Sequence, residues 1–532
     1  MSAAYVTAGP PIRGTLDGLL GGPGVADLLT RAAHRDPDRV ALRCGARQYT
    51  FAGLDDAVSR CAAVLRGLAA PGSVVAVAGV LDPVFAVGFL GAIRAGHVSA
   101  QVNPLLHEEA LRHVLALSEA ATAIVTPRMY RRLAGSRDWL PRLGRIVLTH
   151  RDAETAADAV PTLWDLMDGA PAGAGPAGST AGDADPDAVA CLQFTSGTTG
   201  PARAVRLSHR NLTVNAAQTA YGHRLSDTSV LFNYLPTFHL MHLTIGLAAG
   251  ATHVLWPDED VADAVRGAAR CGATHFYSLP VRLIRLARDE RLPGLRIPGL
   301  RAVLSGGSAV PPEVTEALQR HFAVPVTQGF GLAETSPSTH LGHLERPRTG
   351  SCGPPVPGTE CRIVDVDTGV PLPPGGVGEI QVRGPQLMLG YLGRDRSRDV
   401  DADGWFATGD VGRVDEDGYL YVVDRIKDVF KCDNWLVSPS EIEATLRSHP
   451  AVADCVVFDH PDPDSGAVAH ALAVVTDPAT DPAGLMSFVN ERQPYYAHLK
   501  DVELVDAIPR SATGKVQRRA LRDAALERRR TR

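Results

Sequence analysis

The chain has 532 residues, 45% of them hydrophobic, enough to bury large cores and to fill more than one domain. A formal net charge of −6 gives no long-range attraction to nucleic acid or to an anionic membrane, so neither is expected as a partner. Eight cysteines, at 44, 61, 191, 271, 352, 361, 432 and 455, show no CxxC and no metal-type spacing with histidine, so reduced, mostly buried thiols are expected. The N-terminus lacks a basic region followed by an apolar core. The most apolar stretch, Val74 to Ala95, is broken by Asp82, Pro83 and Arg94, and a cytoplasmic location without span or anchor is expected. The triplet Asn211-Leu212-Thr213 then reads as a chance match to a glycosylation site. The basic run Arg528 to Arg532 reads as a solvated end.

In chain order, Tyr49 to Ala69 has apolar residues at helical spacing, Ser73 to Val80 is a continuous apolar strand, and Pro83 to Ala95 is helical again. Short strands are expected at Thr122–Val125, Arg145–Leu148, Ala188–Phe194, Ser229–Tyr234, Thr252–Leu255, His275–Ser278, Arg301–Ser305 and Pro325–Gln328. Helices such as Ala262–Arg270 and Val281–Arg288 fall between them. This alternation predicts an α/β fold, a largely parallel sheet covered by helices. Asp168 to Asp187 is an Ala/Gly/Pro loop expected to be mobile. From about Cys361 the texture changes to strands and turns, and a β-rich subdomain is expected over 361–424. A final unit beginning near Asp428 shows helix, strand, strand, helix and strand, which predicts a small α+β domain.

Two features point to chemistry. The run FTSGTTGPARAV, 194 to 205, follows a strand and is rich in glycine and hydroxyls. Glycine lets backbone N–H groups converge on phosphate oxygens, and Thr195, Ser196, Thr198 and Thr199 add hydroxyl donors. No GxxxxGK[ST] spacing occurs, so a P-loop fold is disfavoured. Far downstream, PRSATGKVQRR places Lys515 in a Gly-bearing loop, where a flexible cation can be brought to the phosphates from a separate domain.

Eight motifs stand in one order: TSGTTG at 195–200, LPTFH at 235–239, SGGS at 305–308, QGFGLAET at 328–335, GWFATGD at 404–410, DRIKD at 424–428, VSPSEIE at 437–443 and ATGK ending at Lys515. In these the chain resembles the class I adenylate-forming ligases, the superfamily of acyl-CoA synthetases, adenylation domains and luciferases, from about Tyr49 to the C-terminus. The resemblance implies ATP-dependent activation of a carboxylic acid as an acyl-adenylate with release of pyrophosphate, and Mg2+ as the bridging cation. It implies a large N-terminal domain over 1–424 that binds ATP and the acid, a hinge at 425–428 and a mobile C-terminal domain over 429–532.

The resemblance also implies roles for residues. Thr195, Ser196, Gly197, Thr198, Thr199, Gly200 and Arg203 would cradle the β- and γ-phosphates. Gly306, Gly307, Gln328, Gly329, Gly331 and Thr335 would contact the nucleotide, with Phe330 facing adenine. Asp410 would accept the two ribose hydroxyls and Arg425 would add a polar contact. Glu334 would hold magnesium, Lys515 would neutralise the repulsion between carboxylate and α-phosphate, and Lys427 would be the pivot. His239 would gate the acid and acceptor channels, although a histidine satisfied inside its turn is an equal reading. The acid pocket would include Asn233, Leu240, Met241, Ile245, Ser305, Ala309 and Pro337, an apolar lining suited to an aromatic or medium-chain acid, though helix packing explains the same residues.

Three departures matter. Ala202-Arg203-Ala204 stands where the family keeps Pro-Lys-Gly, and Ala333 replaces the threonine before the metal-binding glutamate. In Lys431 to Trp435, Asp433 and Asn434 replace glycines beside the pantetheine tunnel. The acceptor is therefore CoA, or an amine, or the arm of a separate carrier protein.

Overall fold

The computed structural model describes residues 5–20, 22–133, 137–156, 158–169, 184–195, 202–433, 435–510, 516 and 518–530. The protein is a mixed α/β molecule with a large N-terminal domain and a small C-terminal one, and its described residues form four sheets.

The first sheet has six strands, in the spatial order Arg145–Leu148, Thr122–Val125, Val74–Ala78, Val98–Val102, Val189–Phe194 and Ala204–Ser208. All neighbours are parallel except the last pair, an antiparallel hairpin that carries the glycine-rich run at its tip. The second sheet has eight strands, in the order Ser338–Leu341, Val326–Gly331, Ala302–Gly306, His275–Ser278, Val230–Asn233, Thr252–Leu255, Val40–Cys44 and Arg47–Thr50. Its interior is parallel and both edges are antiparallel.

The residues that interrupt the apolar stretch 74–95 turn out to start a helix. The Asp82 side chain accepts a hydrogen bond from Val84 N–H, Pro83 takes the first helical position, and Pro83–Arg94 is buried at every position through Ile93. A helix apolar all round belongs in a core. It packs on Phe51–Leu68 so closely that a Cβ on Gly91 would stand 2.5 Å from Cys61 Sγ.

The third sheet, of Thr7–Ala8, Glu360–Val364, Gly378–Arg383, Phe406–Val414 and Leu420–Arg425, is antiparallel throughout. One continuous apolar core runs through side chains of all three sheets. The C-terminal residues have their own cores. There a hairpin, Phe430–Cys432 and Trp435–Val437, precedes the helix Pro439–Arg447. A long antiparallel pair follows, Val452–Asp462 with Gly466–Val475, then the helix Pro482–Asn490, the strand Leu499–Leu504 and the helix Arg518–Arg530.

The basic end is helical through Arg530, and Arg528, its side chain 51% exposed, lies 3.5 Å from Glu503. Two expectations change. Tyr49 belongs to a strand, and the helix begins at Phe51 with Thr50 as its cap. The first of the two sheets, with strands at Val98–Val102 and Ala204–Ser208, was not separable from the second by periodicity. Asn211 is buried, and its Nδ2 donates to the carbonyls of Pro385 and Leu387 at 2.8 and 3.0 Å, so it presents no glycosylation site. All cysteines are free. No helix among the described residues is long and apolar enough to cross a membrane. Most of the 168–187 loop lies outside the described residues.

Candidate active site

The glycine-rich run leaves one strand and returns on the next. Thr195 N–H donates to Arg203 O at 3.0 Å, and Arg203 N–H donates back to Thr195 Oγ1 at 3.1 Å, closing the hairpin's neck. Ser196, Gly197, Thr198, Thr199 and Gly200 lie outside the described residues. Beside this neck the segment 388–392 runs along Ala204–Ser208 as an added rib, through Arg206 N to Gly390 O at 3.0 Å and Leu392 N to Ala204 O at 2.8 Å. That rib delivers Tyr391. Its hydroxyl donates to Glu334 Oε1 at 2.5 Å, and the Arg203 guanidinium lies 4.1 Å from the centre of its ring. Glu334 is 7% exposed, and Met388 N–H donates to its carbonyl at 2.9 Å. Burial, then the neighbouring Glu334 charge, pushes the Tyr391 phenol above its ordinary range, so it stays a donor. A carboxylate is thus fixed beside the neck of the 195–203 hairpin.

The C-terminal ends of the second sheet's parallel strands form the other wall, the position where open α/β sheets bind ligands. Gln328 Oε1 accepts from Val310 N at 2.8 Å and its Nε2 donates to Gly350 O at 3.1 Å. Its amide is committed to shaping the 305–310 loop, in which Gly307 (φ +86°) and Ala309 are exposed and Ser305 and Gly306 are half-buried. Thr335 is likewise turned inward: its hydroxyl accepts from Leu332 N at 3.0 Å and donates to the carbonyls of Leu332 and Pro337. Both residues were expected to contact the nucleotide; in this structure the side chain of each holds a turn that places its neighbours. Gly331 must be glycine, since a Cβ there would meet Pro337 O at 1.9 Å. Gly329 lies against Leu341 and the His340 carbonyl, and Phe330 is half-buried against the main core, 6.2 Å from the His340 ring.

Asp410 and Arg425 are register partners on adjacent strands, and Arg425 Nε reaches Asp410 Oδ1 at 2.7 Å. The Asp410 side chain is 4% exposed and the Arg425 side chain 45%, so the guanidinium covers a buried carboxylate from the solvent side. Lys427 is exposed in the turn that follows. Lys515 lies outside the described residues. Three positions on, Arg518 is held by Glu443 at 2.8 Å, Asp424 at 3.5 Å and Asp428 at 3.7 Å.

His239 caps the helix Leu240–Ala249, its Nδ1 accepting from Met241 N at 3.1 Å, and Nε2 lies 3.1 Å from the Gln193 side-chain amide. Burial lowers its pKa to about 4, so the ring is neutral with its proton on Nε2, and the amide must present its oxygen to it. Both nitrogens are engaged, leaving neither for proton transfer in this conformation. Met241 and Ile245 face Tyr277 and Leu304 on one side of the second sheet, while Leu240 points into the main core with Phe238 and Leu243. Asn233 joins the first group through its register with Tyr277; Leu240 does not. Pro337 is half-buried at the far edge of the site.

Residues 29–392 match the family model described as AMP-binding enzyme, and residues 441–515 match that of the AMP-binding enzyme C-terminal domain. The chain belongs to the AMP-binding enzyme family. Similar relatives include 4-coumarate–CoA ligase 5 of Oryza sativa subsp. japonica, 33% identical over 82% of each chain, and 4-coumarate–CoA ligase-like 9 of the same plant, 32% identical over 95% of this chain and 94% of that one. Among solved structures, ATP-bound MatB from Rhodopseudomonas palustris superposes with a TM-score of 0.83 at 27% identity, covering 94% of this chain and 98% of that one. The anthranilate CoA ligase AuaEII superposes with a TM-score of 0.82 at 25% identity, covering 94% and 97%. This AMP-binding enzyme is thus an adenylate-forming ligase of the class I superfamily, with that superfamily's two-domain architecture.

Sequence reasoning missed two groups in this AMP-binding enzyme. Tyr391 is tied to Glu334 across 57 positions, and only the resemblance of its surroundings could have flagged it. Arg518 stands three positions after the ATGK motif, but its partners Glu443 and Asp424 lie 75 and 94 positions away.

Proposed function

We propose that this AMP-binding enzyme activates a carboxylic acid, aromatic or of medium chain length, as its acyl-adenylate and then transfers the acyl group to CoA. The observation that carries this reading is the buried Glu334 carboxylate, held through Tyr391 and Arg203 at the neck of the 195–203 hairpin. The names of the similar relatives, CoA ligases acting on 4-coumarate and anthranilate, support the same reaction class.

In the first step a carboxylate oxygen attacks the α-phosphorus of ATP; the bond to the bridging oxygen breaks and pyrophosphate departs with its electron pair. Little covalent help is needed, so the protein's task is positioning and charge stabilisation. Residues 195–200 with Arg203 hold the β- and γ-phosphates, Phe330 flanks the adenine, and Asp410, oriented by Arg425, accepts from the ribose hydroxyls. Glu334, a buried carboxylate, would hold magnesium, which would supply positive charge to offset that of the phosphates. Lys515 offsets the repulsion between acid and α-phosphate. In the second step the CoA thiol, losing its proton, attacks the acyl carbon and AMP leaves, after rotation about Lys427 replaces one face of the C-terminal domain by another.

One observation favours a second acceptor. Asp433 occupies the left-handed region (φ +49°) in the hairpin turn where CoA ligases keep glycine, and its side chain is exposed there. A side chain at this point narrows a pantetheine tunnel and leaves room for an amine, giving an amide, or for a carrier protein's arm. Lys515→Ala is expected to abolish acid-dependent ATP–pyrophosphate exchange while ATP binding persists; near wild-type exchange defeats the adenylation reading. Mass spectrometry of products formed with CoA, with amines and with no acceptor separates the two transfer readings.

A further inference from the structure

Resting on the reading that this site activates an acid, we infer that the acid is compact and carries, remote from its carboxylate, a neutral group that both donates and accepts hydrogen bonds, a hydroxyl or a carboxamide, read by Asn233 and His242.

Asn233 ends the strand Val230–Asn233 at the carboxyl edge of the second sheet and is wholly buried. Neither its Nδ2 nor its Oδ1 has a hydrogen-bond partner among the described residues. Buried polar groups are almost always paired, and an unpaired primary amide that offers a donor and an acceptor together asks for a ligand with both. Beside it in register stands Tyr277, whose hydroxyl is already paired with His223 Nδ1 at 3.0 Å. The His242 ring meets the Tyr277 ring edge-on at 4.9 Å, and its Nδ1, in a residue only 9% exposed, also has no partner among the described residues. Burial, reinforced by the neighbouring histidines, holds His242 far below its ordinary pKa, so this wall is polar without being charged. A second carboxylate on the substrate would find no counter-charge here.

One step down the same strands the lining is wholly apolar. Leu231 and Ala302 pack with Ile245 and Ala249 into a sealed cluster beneath Tyr277. An extended alkyl chain has no path past that floor, whereas a short acid ends level with Asn233 and His242. The apolar face expected from Met241 and Ile245 is therefore only one side of the pocket.

The test uses the purified full chain and acid-dependent ATP–pyrophosphate exchange with two isosteric pairs, 4-hydroxybenzoate against 4-methylbenzoate and succinamate against 4-methylpentanoate, with benzoate and hexanoate alongside. The expected result is a kcat/KM at least tenfold higher for the polar member of one pair than for its alkyl isostere. Asn233→Leu and His242→Phe should each bring that ratio to unity or below, with melting temperature and ATP binding retained. Alkyl members or hexanoate used as well as their polar counterparts overturn the inference while leaving acid activation intact, and so does a ratio that survives both substitutions. Exchange with none of the six acids overturns the acid-activation reading and this inference with it. The wild-type comparison stands without either variant.

Discussion

Tyr391 reaches Glu334 from 57 positions away and donates a hydrogen bond to a carboxylate that is itself buried. A hydrogen bond to a charged group is worth about 1.5–3 kcal/mol. Tyr391→Phe keeps the ring beneath Arg203 and deletes only the hydroxyl, so pyrophosphate exchange should fall about 10- to 100-fold in kcat/KM for ATP with little change in melting temperature. Exchange at the wild-type rate would show that the phenol merely packs. At this scale the sequence was informative about residue type and poor about orientation. Glu334, Asp410 and Arg425 sit in short runs whose chemistry is readable. Gln328 and Thr335 sit in the same kind of run, yet their polar atoms are spent on the Val310, Gly350 and Leu332 backbone. Which way an amide or hydroxyl turns depends on carbonyls delivered by other segments, and no local pattern records that.

Arg518 joins three elements at once: the helix it opens, the helix Pro439–Arg447 through Glu443, and the strand Leu420–Arg425 with the turn after it, through Asp424 and Asp428. Glu443 also accepts from Val457 N at 2.8 Å and pairs with Arg447 at 2.9 Å. Because Asp424 and Glu443 are buried, removing the cation leaves their charge under-compensated, at a cost of about 3–5 kcal/mol. Arg518→Met should loosen the C-terminal domain selectively: hydrogen exchange should speed up over 430–530 while protection of the first two sheets is unchanged. Uniform protection throughout would show the network to be dispensable. The same elements mark what pattern reading reaches. Thr122–Val125, Arg145–Leu148, Thr252–Leu255 and His275–Ser278 match their expected bounds because each is a short run between breakers in a parallel part of a sheet. Val98–Val102 carries Ser99 and Gln101, and Arg47–Thr50 leads straight into a capped helix, so neither announces itself as a strand. The division into two sheets and the order of strands within each are set by long-range pairing, which periodicity does not encode.

Across the whole molecule, burial has silenced a set of titrating groups that composition alone presents as ordinary. Burial lowers His223 to about 3, His239 to about 4, His253 to about 3, His275 to about 4 and His340 to about 3, with His242 well below its usual 6.5. As pH falls below 6.5 the unfolded chain takes up protons at these positions and the folded chain does not. Stability therefore rises with pH across the window from about 4 to 6.5, and acidification through it destabilises the fold. Each histidine contributes up to about 1.4 kcal/mol per pH unit there. Asp428 and Glu441, whose pKa values burial raises, bind protons earlier in the fold than in the unfolded chain and offset part of the loss. Ion-paired carboxylates such as Asp289, held near 2 chiefly by Arg291, lose their contribution mainly below this window. The urea midpoint should accordingly drop steeply between pH 7 and pH 5, and His340→Asn, which removes one silenced imidazole, should flatten that drop. A midpoint that stays constant over those two units would mean that the buried imidazoles take protons in the folded state, and the neutral wall beside Asn233 would become a cationic one.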